Sequence, residues 1–179
     1  DVYKTIDELE FADASLASCV REMVEAHGWT DAGHIVSLRC NHPKGEPIRS
    51  LDGIEHLVSL RDVNLAFNAI DDATSLAHLP RLAVVELSHN MLRGLPVFRS
   101  ASALEHLGLS YNQCESLDWL AAQHFAALHS LSVAHNLLDS LDGIEYVPQL
   151  RELDIRDNRI ADIGPLFDLK ALELVDLGS

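Results

Sequence analysis

Apolar positions along this chain belong to a short unit that recurs. Around Asn68, Asn90, Asn112, Asn136 and Asn158, separated by 22, 22, 24 and 22 residues, the chain reads LxxLxLxxNxL or a close variant. The copies are LRDVNLAFNAI from Leu60, LAVVELSHNML from Leu82, LEHLGLSYNQC from Leu104, LHSLSVAHNLL from Leu128 and LRELDIRDNRI from Leu150. A sixth, LELVDL from Leu172, ends before its asparagine, and a degenerate one, IVSLRC from Ile35, precedes them with three extra residues before Ile48. That makes seven rungs, and self-similarity at a fixed period is the signature of a solenoid.

Each unit predicts a strand, a turn and a return. The LxL core alternates with period 2, so successive units can stack as a parallel sheet with strands about 4.8 Å apart. The asparagine stands where the chain turns inward, and its amide can satisfy backbone groups that no neighbouring strand reaches. Asn68, Asn90, Asn112, Asn136 and Asn158 are therefore predicted as a buried structural ladder rather than as catalytic residues. Return segments such as RSLDGIEHL, DSLDGIEYV and ADIGPLFDL repeat apolar residues every third position, which suits short helical or 3₁₀ turns. Their glycines and prolines argue against long helices. The two-residue insertion of the Leu104 unit belongs on this return side, in ESLDWLAAQHFAA.

Ahead of the repeats, Asp13 can cap a helix whose apolar positions Leu16, Cys19, Val20, Met23, Val24 and His27 follow 3.6-residue spacing, with Gly28 ending it. Such a helix would cover the open edge of the first rung. The expected organisation is an N-terminal cap over residues 1–34 and repeats over 35–179. The fold class is an α/β solenoid, a horseshoe with a parallel concave sheet and thin convex segments. The last unit finishes at Leu177, Gly178 and Ser179 with no amphipathic helix behind it, leaving one sheet edge open. A chain that continues is the expectation, with a monomeric domain; dimerisation through that edge is the alternative.

Composition narrows the function. At 179 residues, 47% apolar but only 6% aromatic, the chain can bury one sizeable core built from aliphatic side chains. Acidic residues outnumber basic ones 28 to 13, a formal charge of −15, which repels phosphate backbones and anionic headgroups. Neither nucleic acid nor membrane insertion is expected: no apolar run is long enough to span a bilayer. There is no charged-then-apolar leader, but a chain starting at Asp1 without Met makes that absence uninformative. Cys19, Cys40 and Cys114 are too few for a disulfide scaffold and form no CxxC pair.

The period, with LDGIEHL and LDGIEYV in the return segments, resembles the short class of leucine-rich repeats shared by Sds22-type phosphatase regulators and bacterial internalins. The order FADASLASCV, IVSLRC, IRSLDGIEHL is similar to the start of exported bacterial proteins of internalin type. That resemblance suggests a Cys19 to Cys40 disulfide joining the cap helix to the first strand; two buried free thiols are the other reading. Cys114 replaces the last leucine of its unit and reads as a buried filler. The architecture serves many partners, so it implies protein binding without naming what is bound.

With inward positions assigned, the outward side chains can be read in columns. The column just before the asparagine runs His42, Phe67, His89, Tyr111, His135, Asp157; adjacent columns add Arg61, Asp62, Glu86, His106, His129 and Arg156. Rings bury large area at small entropic cost and are enriched at binding hot spots, so Phe67, His89, Tyr111 and His135 lead the expected contact surface. The alternative is a solvated column whose rings pack on one another. His89 and His135 lie two rungs apart, too far for one metal ion, and there is no HExxH pattern. With no GxSxG elbow and no glycine-rich phosphate loop, neither an enzyme nor a cofactor is expected. The expected function is a protein-binding module of an exported or cell-envelope bacterial protein; a cytoplasmic scaffold of the phosphatase-regulator type is the alternative.

Overall fold

In the computed structural model, which describes residues 3–41 and 44–178, the repeat becomes one seven-stranded parallel sheet. Its strands lie in chain order: β1 Ser37–Arg39, β2 Asp62–Asn64, β3 Val84–Glu86, β4 His106–Gly108, β5 Ser130–Ser132, β6 Glu152–Asp154 and β7 Leu174–Asp176. The register aligns Leu38, Val63, Val85, Leu107, Leu131, Leu153 and Val175 across all seven. The first six of these are buried, forming one row of the core. Parallel rows of Leu60, Leu82, Leu104, Leu128 and Leu150 before the strands, and Leu65, Leu87 and Leu109 after them, complete the core. Each such side chain contributes on the order of 2 kcal/mol by leaving water.

The five asparagines repeat one hydrogen-bonding scheme. Asn112 Oδ1 accepts from the Leu92 N–H at 2.9 Å, while Nδ2 donates to the Leu87 and Leu109 carbonyls at 3.0 Å each. Asn68, Asn90, Asn136 and Asn158 make the same bonds to the corresponding groups of their own and the preceding rung. Each amide thus ties one turn to the turn before it. Asn90, Asn112 and Asn136 are buried; Asn68 and Asn158 are partly open to solvent.

The return segments form single 3₁₀ turns, among them Ile54–His56 and Ile144–Tyr146. The two LDGIE copies fold alike. Gly53 and Gly143 both hold φ at 106°, and their N–H groups donate to Glu55 and Glu145 at 2.8 Å. A Cβ there would stand 2.2 Å from the Glu10 carbonyl oxygen or 2.4 Å from that of Leu117, so glycine is required twice over. The longer unit uses its insertion differently: buried Gln123 donates to the Pro96 carbonyl at 2.8 Å and accepts from the Phe98 N–H at 3.0 Å.

Helix α1, Ala14–His27, begins at Asp13, whose carboxylate accepts from the Ser15 and Leu16 N–H groups, and ends at Gly28 in the left-handed region. Leu16, Val20 and Val24 enter the same core as the rungs. Asp13 also accepts from the Arg49 and Ser50 N–H groups, tying the cap to the first return segment. Partial burial works to raise this carboxyl; the four N–H donors, led by Arg49, outweigh it and hold the group below its ordinary range. Cys19 and Cys40 are joined by a disulfide across the same junction. His27 departs from the apolar face on which its spacing put it. As the last helical residue it lies beyond the first rung's cover, exposed, with its ring stacked on Trp29 at 4.3 Å.

Candidate functional site

The outward residues of successive strands define the floor of the hollow. Asp62, Val84, His106 and Ser130 lie side by side at the first outward position, and Asn64, Glu86, Gly108, Ser132 and Asp154 at the second. Arg61 and His129 stand one residue before their strands, where their carbonyls accept from the next rung. Arg156 follows β6. It forks onto Asp154 at 3.0 and 2.9 Å and reaches Asp176 at 3.3 Å, so its hydrogen bonds to Asp154 raise its already high pKa further.

The column of rings is displaced from where the alternation puts it. Phe67, His89, Tyr111, His135 and Asp157 occupy the bend beyond the strands, with φ between 52° and 60°. Rings are poor signals for a left-handed backbone, which costs roughly 1–2 kcal/mol at a residue bearing a Cβ, so the sequence placed them on the strands. The ladder continues to them: the N–H groups of Phe67, His89, Tyr111 and His135 donate to carbonyls of the next rung at 2.8 to 3.0 Å. Their rings form one stack, with centroids 4.0, 4.1 and 4.0 Å apart and planes within 13°. His135 ends it against Asp157 at 3.0 Å. The stack leaves Phe67 43% and Tyr111 46% exposed. Mutual packing and outward display therefore coexist in this column. His42, placed in the same column by the sequence, lies outside the described residues.

A second arrangement was not visible in the repeat pattern. Glu86 lays its carboxylate across the neighbouring strand above Gly108, where a Cβ would stand 2.3 Å from both its oxygens. There it accepts from the Ser88 hydroxyl and backbone N–H and meets His106 Nε2 at 3.4 Å. Burial works to raise the Glu86 carboxyl, but hydrogen bonds from His106 and Ser88 outweigh it and hold the group below its ordinary range. His106 Nδ1 is in turn 2.9 Å from the Ser130 hydroxyl. A serine, an imidazole and a carboxylate in line suggest a nucleophile relay, yet the nearby backbone donors are occupied. The N–H groups of His106, Leu109 and Ser130 donate to Ala83, Ser132 and Glu105 carbonyls, leaving none of the three to receive a developing oxyanion. The cluster reads as a fixed polar floor. Among the described residues no group of three or more His, Cys, Asp or Glu is placed to hold a metal ion.

Gly108→Ala tests that floor. The added methyl meets only the end of a flexible side chain, so Glu86 should swing away and the fold should survive. Its carboxyl should then titrate nearer the ordinary value, read by carbon-detected NMR of its Cδ. A depressed carboxyl stabilises the fold above its unfolded pKa, and that contribution disappears as pH falls through the folded pKa. The stability gap between the parent and Gly108→Ala should therefore narrow in acid. A pH-independent gap would show that Glu86 does not carry it.

No family model matches the chain. The fold is similar to the functional domain of InlJ from Listeria monocytogenes, with a TM-score of 0.78 and 23% identity over 98% of this chain and 38% of that one. It is also similar to the Listeria internalin InlF, with a TM-score of 0.64 and 23% identity over 97% of this chain and 58% of that one. In sequence the chain is 31% identical to an uncharacterized leucine-rich repeat-containing protein of Schizosaccharomyces pombe, over 72% of this chain and 17% of the relative. It is likewise 31% identical to the human serine/threonine-protein kinase 11-interacting protein, over 69% of this chain and 13% of the relative. The chain thus spans less than a fifth of the length of these curated relatives.

Proposed function

The chain is a leucine-rich-repeat protein, and from that premise we propose that it is a recognition module that captures a partner protein on its hollow side, with the ring column at the centre of the contact. One observation carries this reading: Phe67, His89, Tyr111 and His135 form a continuous stack on a left-handed backbone that disfavours bulky Phe67 and Tyr111. Glycine or asparagine would fit that backbone more easily. Backbone strain of this kind concentrates where a side chain is needed for something other than folding. The stack also presents pre-ordered apolar surface, so little rotamer entropy is lost on contact. Asp62, Glu86 and His106 on the floor, Arg61 and His129 at strand entry and Arg156 at the far end supply the polar surround.

The double variant Phe67→Asn, Tyr111→Asn separates binding from folding, because asparagine tolerates the left-handed backbone. Each ring is expected to contribute as a hot-spot residue, so capture of the partner by cross-linking pull-down should fall by about 30-fold or more. Thermal melting should stay close to the parent. Undiminished capture by a folded double variant overturns the ring-centred site.

We further propose that the module acts in an oxidising compartment, as part of an exported bacterial protein. The Cys19–Cys40 disulfide and the likeness to internalins support this. The identity to the human kinase-interacting protein favours a second reading, an intracellular scaffold. Intact mass of protein alkylated in its native cells before reduction separates them: Cys19 and Cys40 protected until reductant is added supports export, and both alkylated at once supports the scaffold.

A further inference from the structure

Beyond the rings the chain keeps alternating. At the position after the five asparagines stand Ala69, Met91, Gln113, Leu137 and Arg159, and the ladder reaches them too, with Met91 N–H donating to Ile70 at 2.8 Å and Leu137 N–H to Cys114 at 2.9 Å. Met91 is 46% exposed and Leu137 41%, as open as the two rings beside them. The repeat pattern gives no sign of these residues, because the position after the asparagine has no fixed character in the unit. Their rung spacing nonetheless places them in a column parallel to the stack. Together the two columns make a mainly apolar strip, interrupted by Gln113 and ended by Arg159, along the edge of the hollow where the chain bends away from the strands.

The strip has a charged border. Two residues further on, Asp71, Arg93, Glu115 and Asp139 are all exposed and form the next outward column, three carboxylates to one guanidinium. On the hollow side stand Glu86, bonded to Ser88 and His106, and a cluster in which Asp154 and Asp176 hold Arg156, two carboxylates to one guanidinium. A second copy of this chain, carrying the same formal charge of −15, would meet that border with like charge.

We infer that the strip formed by the ring stack with Met91 and Leu137 seats an apolar ridge of a partner protein whose rim is basic, lysines or arginines reaching the carboxylates on either side. This rests on the protein-binding reading above and names the surface and the partner's chemistry. Apolar surface supplies the contact, and the carboxylate borders select cationic partners and speed their approach.

A phage-displayed library of random dodecapeptides, selected on the immobilised parent protein, tests it without a known partner. Enriched peptides should combine aromatic or aliphatic residues with lysine or arginine. They should lose about tenfold or more in affinity both on Phe67→Asn, Tyr111→Asn and on Met91→Gln, Leu137→Gln. They should also weaken on Asp71→Asn, Glu115→Gln, Asp139→Asn and with rising ionic strength. Each variant's melting temperature guards against loss of fold, and the substituted side chains are exposed. Loss on the ring pair alone removes the strip while the ring-centred function stands; loss on neither pair removes both. Enrichment of acidic peptides, or indifference to the border carboxylates, overturns the basic partner, and no enrichment overturns the strip as a docking surface.

Discussion

Asn112→Ala should lower the stability of this protein by about 2 kcal/mol, because it orphans the buried Leu92 N–H and takes one of two amide donors from each of the Leu87 and Leu109 carbonyls, which keep Asn90 and Asn136. The Leu92 N–H and the Leu87 and Leu109 carbonyls bond to this amide at 2.9 to 3.0 Å. A buried N–H left unsatisfied costs about 1–3 kcal/mol, and a methyl cannot accept from it. Asn158→Ala should cost clearly less: its amide makes the same bonds, but the site is partly open, so water can substitute. Asn112→Asp sharpens the test. A carboxylate there would face two carbonyl oxygens, which raises its folded pKa. The variant should be least impaired below the ordinary carboxylate range and worsen as pH rises through it. Urea melts of the three variants check this, and equal, small losses at Asn112 and Asn158 would show that the ladder is not what binds turn to turn.

That ladder was legible because its physics is periodic. An asparagine that must reach both its own turn and the preceding one recurs at a fixed separation, and the LxL core must alternate to bury one side. The cap helix was legible for a related reason: Asp13 and Gly28 mark its two ends by their backbone chemistry. The ring column was legible only as a column. His89, His135 and Asp157 are types that tolerate a left-handed backbone, but Phe67 and Tyr111 are not, so the column's true place in the bend emerges only when the turn is built. Glu86 over Gly108 was hidden for a different reason. A glycine in an outward strand position reads as a weak link until the neighbouring carboxylate is seen lying in the space it leaves. Met91 and Leu137 follow the asparagine, where the unit carries no constraint that a pattern could reveal.

The junction between cap and first rung concentrates several attachments, and reduction of its disulfide should have the second large effect on stability. Cys19 and Cys40 close a loop of 21 residues. Opening it releases roughly 3 kcal/mol of chain entropy to the unfolded state. At about 2–4 °C per kcal/mol for a chain of this size, the melting temperature should fall by roughly 10 °C. Because each rung touches only its neighbours, the loss should appear first at the N-terminal end, as faster hydrogen exchange in α1 and β1 while β4 and β5 stay protected. The Asp13 bonds to Arg49 and Ser50 should keep the reduced cap docked at neutral pH. Their contribution falls away in acid as Asp13 protonates, so acid and reductant together should release it. Cys114 does not complicate the measurement, because burial pushes its thiol up to about 12 and removes it from exchange chemistry. Unchanged melting and exchange in protein that mass spectrometry shows to be reduced would mean that apolar contacts of Leu16, Val20 and Val24 hold the cap unaided.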